Sequence, residues 1–264
     1  MDLELKNKKA LVTGSTAGIG YAIASRLARE GAAVIVNGRG DERVREAISK
    51  IKKDFSHADV RGIAADLGTA QGCAGLVREL PTVDILVNNV GIFEPKAFEQ
   101  ITDQDWERFF QINVMSGVRL SRAYLPAMRE RNWGRVIFIS SESGLQIPAE
   151  MIHYGMTKTA QLAIARGLAQ TCAGTNVTVN SVLPGPTASE GVTEFVSNLA
   201  EQNKMSAADF EKEFFKSARP TSLLKRFEEP AEIANVVAFV CSPLASAISG
   251  SAVRADGGVI LSIG

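Results

Sequence analysis

The chain is poor in the residues that staple a fold or ligate a metal. Its cysteines, Cys73, Cys172 and Cys241, are odd in number and widely spaced, which excludes a secreted disulfide framework and implies reduced thiols. Cys172 and Cys241 sit in apolar segments and read as core. The histidines are His57 and His153 alone, too few and too scattered for a Cys/His zinc site, so no metal is expected. Charge of one sign is missing as well. The 29 basic and 29 acidic side chains cancel and lie dispersed, which leaves no electrostatic footprint for nucleic acid or an anionic membrane. No apolar run approaches the ~18 residues of a membrane span. The opening Met1-Asp2-Leu3-Glu4-Leu5-Lys6 lacks the basic-then-apolar pattern of a leader. The expectation is a soluble, cytoplasmic protein. No repeat, low-complexity tract or linker interrupts it, so residues 1–264 are read as one domain.

What is present is a regular alternation. Short apolar, β-branched runs occur at residues 9–13, 33–37, 59–65, 83–88, 135–140, 176–183 and 251–255. Many are apolar at consecutive positions, as strands are when both sheet faces are covered. Helical patterns lie between them. Ile19, Ala22, Ile23, Leu27 and Ala28 share one helix face, and Val44, Ile48, Ile51 and Phe55 another. Thr102 caps a third helix with Asp105 three residues on, and a fourth spans about residues 153–173. Strand–helix alternation with right-handed crossovers predicts an α/β, doubly wound Rossmann fold: seven strands, mostly parallel, with helices on both faces.

The first strand runs straight into Gly14-Ser15-Thr16-Ala17-Gly18-Ile19-Gly20. Glycines permit a sharp turn and close approach of a ligand to backbone, and the helix that follows aims its free amides and positive dipole end at the gap. A dinucleotide pyrophosphate fits there. At the tip of the second strand, the acid that would hold the ribose 2′-hydroxyl of NAD is absent. Arg39 stands there instead, with Asp41 close by. A guanidinium fork suits a 2′-phosphate, so NADP(H) is preferred over NAD(H).

Tyr154 and Lys158 lie four residues apart on a predicted helix and so share a face. An ammonium beside a phenol favours the ionised form, which suits a tyrosine that gives and takes a proton. Ser141 lies upstream at a strand end. His153 precedes Tyr154 and points about 100° away around the helix, toward the surface or the substrate rim. Glu142 and Ser143 follow the serine, with no role assigned from sequence.

Together these residues resemble the short-chain dehydrogenase/reductase family over essentially the whole chain. The T-G-x-x-x-G-x-G turn is residues 13–20. Asn88-Asn89-Val90-Gly91 matches the family's Asn-Asn-Ala-Gly, Asn113 its helix asparagine, and Ser141, Tyr154 and Lys158 its catalytic set. Pro184-Gly185-Pro186-Thr187-Ala188-Ser189 matches its P-G-x-x-x-T stretch, with Ser189 in place of threonine. Asp66-Leu67 matches its adenine contact, and Asp256-Gly257-Gly258 its last strand end. The resemblance implies Tyr154 as general acid and base, Lys158 holding the nicotinamide ribose, Ser141 donating to the substrate oxygen, and Asn113 holding a water that links Lys158 to solvent. It also implies cofactor contacts from Gly14, Ser15, Thr16, Gly18, Ile19, Gly20, Arg39, Asp66, Leu67, Asn88, Gly91, Tyr154, Lys158, Pro184, Gly185, Thr187 and Ser189.

Residues 189–227 break the alternation. Phe195, Leu199, Met205, Phe210, Phe214, Phe215, Leu223 and Leu224 recur there among charges, as in a helical substrate lid or a packed surface helical pair. This segment, with walls from Ile92, Phe93, Leu145, Gln146 and Ile147, favours a medium-sized or apolar carbonyl or alcohol, with a β-ketoacyl thioester, a steroid-like ketone and, less favoured, a sugar-derived ketone left open. The predicted activity is NADP(H)-linked carbonyl–alcohol interconversion. A 3-oxoacyl-thioester reductase is the alternative, using Lys204, Lys212, Lys216, Arg219, Lys225 and Arg226 at the rim. A non-catalytic NADPH-binding sensor is the alternative of another class. Apolar residues on several faces of the helices around Phe109, Phe110, Val114, Val118 and Leu120, and around Leu162, Ala163, Ile164 and Leu168, predict a homodimer or homotetramer.

Overall fold

The computed structural model describes residues 1–190, 192 and 205–263. Its elements alternate as β1 (Lys9–Val12), α1 (Gly18–Arg29), β2 (Ala33–Gly38), α2 (Asp41–Asp54), β3 (Val60–Ala64), α3 (Ala70–Glu79) and β4 (Ile85–Asn88). The second half continues with α4 (Asp103–Phe109), α5 (Ser116–Glu130), β5 (Gly134–Ile139), α6 (Ile152–Gln170), β6 (Val177–Pro184), α7 (Ala207–Ser217), α8 (Pro230–Cys241) and β7 (Ala252–Ala255). The strands form one seven-stranded sheet in the order β3-β2-β1-β4-β5-β6-β7, every pair parallel. The order reverses between β1 and β4, and in such sheets the crevice beyond the strand ends at that reversal receives ligands.

Alternate side chains of each strand feed two cores, one per sheet face. Val12, Val34, Val36 and Ile137 pack with Ile23, Leu27, Ile51 and Val237 on one side. Leu11, Ile35, Leu86 and Phe138 pack with Leu76, Leu120, Tyr124 and Met128 on the other. Burying each such side chain contributes roughly 1.5–3 kcal/mol relative to exposure. Strand residues buried on both faces explain the unbroken apolar runs. The helices α3 and α8, which carry no motif of the turn or the catalytic set, complete the two layers; Thr69 caps α3 by accepting from Gly72 N–H at 3.0 Å.

Thr102 and Asp105 form the capping box read from sequence. Beyond α4 the chain widens into a π-helical turn, Phe110–Met115, before α5 begins. Phe109, Val114 and Leu120 turn into the core, while Phe110 is 39% exposed, so part of the apolar surplus expected to bind a partner subunit is intramolecular packing. In the 189–227 segment, α7 is one helix of the expected pair. Phe195, Leu199 and Lys204 lie outside the described residues. All three cysteines are free and buried. Among the described residues no helix is long and apolar enough to cross a membrane, and no cluster of acidic, histidine or cysteine side chains is placed to hold a metal.

Candidate active site

The glycine turn is assembled by short polar side chains. Gly18 adopts φ +57°, a left-handed conformation that costs glycine little. A Cβ on Gly20 would lie 2.3 Å from the Gly14 carbonyl oxygen, so only glycine lets α1 start this close to β1. The residue before α1, Ala17, has no side chain that caps it. The first-turn amides therefore face the crevice, a donor set that fits a pyrophosphate. Thr16 packs over Gly38, and Ile19 lines the cavity. Ser15 is fully buried; its hydroxyl donates to Val12 O at 2.6 Å and accepts from Asn37 N–H at 3.0 Å. It shapes the turn from behind.

Asn37 is a hub that sequence reading passed over. Its Oδ1 accepts from Gly14 N–H at 3.2 Å, and its Nδ2 donates to Ile63 O and Ala65 O at 3.1 and 3.3 Å. One buried amide thus ties together the ends of β1, β2 and β3. Asn89 does the same across the reversal point, donating to Thr13 O and Gly14 O at 2.9 and 3.0 Å. Asn88, expected at the cofactor, instead turns inward: its Nδ2 donates to Ser121 Oγ at 3.3 Å. Strand alternation sends neighbouring side chains to opposite faces, so only one asparagine of the pair reaches the crevice. The Leu67 side chain belongs to the core, and Asp66 is exposed with Oδ1 accepting from Gly68 N–H. Arg39 is exposed and makes no hydrogen bond or ion pair among the described residues. Arg43, one helical turn on, pairs with Glu190 at 3.1 Å.

Beyond the ends of β4, β5 and β6 lies a cavity of about 480 Å³. Ser141, Tyr154 and Lys158 line it together with Gly91, Pro184, Gly185, Thr187 and Ser189. Lys158 is 5% exposed; its Nζ donates to Ile139 O at 2.9 Å and lies 5.5 Å from the Tyr154 ring centre. Burial pulls the Lys158 ammonium down to about 8. Burial also pushes the Tyr154 phenol up from its ordinary value; the nearby Ser141 hydroxyl lowers it, the charge of Glu142 raises it and that of Arg219 lowers it. This corrects the expectation of a phenol already made acidic by Lys158. Desolvation is the largest cause here, and the lysine is engaged with a backbone carbonyl.

Asn113 sits in the π-helical turn, buried, and its amide is committed. Nδ2 donates to Ile92 O and Thr157 Oγ1, both at 3.0 Å, and Oδ1 accepts from Ile92 N–H at 2.8 Å. Its main-chain carbonyl accepts from Gln161 Nε2 at 2.6 Å. The side chain tethers the loop after β4 to α6, which differs from the expected water holder. His153 also departs from expectation. It is fully buried, 4.1 Å from the Phe109 ring and 6.0 Å from that of Trp106, because α4 covers the helix face that a lone-helix reading left to solvent. Burial lowers its pKa, and it does not line the cavity.

The largest surprise lies beside the serine. Glu142 is 3% exposed. Its Oε2 accepts from Ser141 Oγ at 2.7 Å and from Ser143 Oγ, and its Oε1 accepts from Arg219 Nε at 2.7 Å. Arg219, read from sequence as a rim cation, is 8% exposed and reaches Glu150 as well, at 3.2 Å. Burial opposes its charge, but Glu142 and Glu150 outweigh that and hold the guanidinium above its ordinary value. The walls are apolar elsewhere: Ile92, Phe93, Met151, Phe210, Phe214 and Phe227. Leu145 and Ile147, expected there, are about half exposed and lie outside it.

A second buried acid underlies the Pro184–Thr187 turn. Glu228 Oε2 accepts from Gly185 N–H at 3.1 Å, while Oε1 has no partner among the described residues. Burial pushes its carboxyl up to about 7, with Asp256 and Glu232 adding to the rise and the Gly185 and Thr187 hydrogen bonds opposing it.

The comparisons with known proteins agree with this geometry. A sequence profile described as short chain dehydrogenase matches residues 8–200. The chain is 52% identical over 263 residues to the uncharacterized oxidoreductase YvaG of Bacillus subtilis, covering all of both chains. It is 34% identical to the 3-oxoacyl-[acyl-carrier-protein] reductase FabG of Aquifex aeolicus, over 98% of this chain and 100% of that one. The crystal structure of L-sorbose reductase from Gluconobacter frateurii, complexed with NADPH and L-sorbose, superposes with a TM-score of 0.93 at 31% identity, covering all of both chains. With a doubly wound sheet, a glycine turn at its reversal point and a Ser–Tyr–Lys cavity, the chain belongs to the short-chain dehydrogenase family of oxidoreductases.

Proposed function

We propose that the protein interconverts a carbonyl and an alcohol with NADP(H) as the redox partner. The observation that carries this reading is the convergence of Ser141, Tyr154 and Lys158 in one cavity, next to a helix start whose amides have no side-chain cap. A bound nicotinamide supplies or accepts the hydride; that chemistry belongs to the cofactor. Thr16, Gly18 and Ile19 would hold its pyrophosphate through backbone amides, with Gly14 shaping the turn. Arg39, exposed and unpaired among the described residues, would take a 2′-phosphate. The NADPH in the sorbose reductase crystal supports the same preference.

The protein's own part is the proton. Tyr154 gives it to the reacting oxygen during reduction and removes it during oxidation. Lys158 keeps positive charge beside the phenol below about pH 8 and so favours the tyrosinate whenever the proton leaves. The Phe93 and Tyr154 rings meet edge to face, centroids 6.5 Å apart, and both line the cavity. The apolar walls suit a medium-sized substrate body, and the Glu142–Arg219 end requires that body to stop short of it or to present polar groups.

The thioester alternative is weakened by the rim. Lys212 pairs with Asp209, Lys216 with Glu213, and Arg226 with Glu232, Lys225 donates to Pro220 O and Arg219 is buried, so among the described residues few free rim cations remain for the phosphates of an acyl carrier. The sensor alternative is weakened by the complete catalytic set. Turnover of a panel of ketones and alcohols with NADPH and NADH tests the assignment. Tyr154→Phe should lose turnover while NADPH binding persists; a Phe variant with full activity means that another acid carries the proton.

A further inference from the structure

The Ser141 hydroxyl has one proton, and two groups compete for it. In this fold it goes to Glu142 Oε2 at 2.7 Å, while Ser143 N–H donates to the same Ser141 oxygen at 3.1 Å. Toward the cavity Ser141 therefore presents a lone pair. A serine in that state cannot donate to the reacting oxygen, the role assigned to it by resemblance.

We propose that Glu142 is a positioning residue, gripped by Arg219, that decides where the Ser141 proton points and thereby sets the acidity of Tyr154. The inference rests on the proposed proton role of Tyr154 and deepens it. Each carboxylate oxygen has a distinct task. Oε2 takes the hydroxyls of Ser141 and Ser143, and Oε1 takes the guanidinium of Arg219 at 2.7 Å. The harder Arg219 holds the negative charge on its own side, the weaker the pull of Oε2 on the serine proton. A released proton can donate to the phenolate oxygen or to the oxygen of the substrate, which stabilises either anion.

The arrangement is built to persist. Ser141, Glu142, Ser143 and Arg219 are each more than nine-tenths buried, and a carboxylate so placed is tolerated only with full hydrogen bonding. Arg219 is fixed in turn by Glu150 and by the Ala218 carbonyl, which accepts from Nη1 at 2.8 Å, and its guanidinium faces the Phe214 ring. Among the described residues the other charges facing the cavity are Lys158 from α6 and Glu213 from α7. Glu142 and Arg219 push the Tyr154 phenol in opposite senses.

That opposition is the test. The chain has three tyrosines. Labelling with a fluorinated tyrosine lowers phenol pKa values into the range where the protein stays folded, and the Tyr154 fluorine resonance is identified by its loss in Tyr154→Phe. Glu142→Gln should let Tyr154 ionise at lower pH, by about one unit, equivalent to a tenfold larger tyrosinate fraction at fixed pH. Its amide oxygen still accepts from Arg219, and its NH2 donates to Ser141 and frees the serine proton. Arg219→Gln should move the same titration upward. Arg219→Lys supplies that arm if the neutral variant does not fold, because a single ammonium cannot hold Glu142 and Glu150 together. Opposite shifts that vanish in a Ser141→Ala background support the proposal. Shifts of the same sign, no shifts, or opposite shifts that persist undiminished without the serine hydroxyl overturn it, because the direct fields of the two charges alone would move the phenol in two directions. The titration needs neither cofactor nor turnover, so it stays separate from the failure of the activity reading, which Tyr154→Phe decides by rate.

Discussion

The two ends of the crevice are built on different principles. The nucleotide end is backbone and neutral amides: Gly14, Gly18 and Gly20 shape the turn, and Asn37 and Asn89 lash neighbouring strand ends to it. The substrate end is buried charge. Glu142 and Arg219, 77 positions apart in the chain, meet beside Ser141, and Glu228 lies unpaired at Oε1 among the described residues beneath the Pro184–Thr187 turn, whose residues are also expected cofactor contacts. A neutral frame presents the same donors at any ordinary pH. A charged frame changes with protonation and can tune a phenol. On the proposed function, binding falls on the neutral half and proton transfer on the charged one.

The largest effect expected from breaking this division is at Tyr154. Removing its hydroxyl should lower turnover by roughly 10²–10⁴-fold and leave the NADPH dissociation constant nearly unchanged, measured by initial rates and by fluorescence titration. A parallel loss of nucleotide affinity would mean that the two halves are not separable.

Asn37→Ala strikes the other half. It strips the Gly14 amide and two strand-end carbonyls of a shared partner, so it should destabilise the fold by about 2–4 kcal/mol and weaken nucleotide binding together with stability. Denaturant melts and NADPH titration of the same variant check both. Loss of binding without loss of stability would make Asn37 a ligand contact and not a frame.

Glu228 makes the pH contrast measurable. Its folded pKa, about 7, lies above the value of an unfolded glutamate, so the fold favours the protonated carboxyl. That contribution to stability is complete below about pH 4 and is lost as pH rises through 7. Glu228→Gln, which mimics the protonated form, should therefore melt close to wild type at pH 4.5 and above it at pH 8, by about 2 kcal/mol. Thermal melts across that window decide it, and a variant equally destabilised at both pH values contradicts the assignment. The smallest change is expected from Arg39→Asp. It should shift the NADPH/NADH ratio of kcat/KM by roughly tenfold toward NADH, at no cost in stability because the side chain is exposed.

The same division separates what was readable from what was not. The Gly14–Gly20 turn, the Thr102–Asp105 capping box and the Tyr154/Lys158 pair each lie within one turn of backbone, where spacing fixes geometry. The seven parallel strands followed from unbroken apolar runs. His153 was misread because a single helix cannot say what packs on its other face; here Trp106 and Phe109 do. Asn88 was placed in the crevice by motif and turned out of it by strand alternation, leaving Asn89 to line it. Arg219 looked like a rim cation because nothing near it in the chain announces Glu142.

Local order alone thus determined the fold class, the reversal-point crevice and the Tyr154/Lys158 spacing proposed to move a proton, since these depend on periodicities of a few residues. Only the tertiary structure decided which acid holds Ser141, that burial raises the Tyr154 phenol, and that Glu228 carries its proton near neutrality. Desolvation and long-range pairing depend on what surrounds a group in space, and distant stretches of chain supply those surroundings.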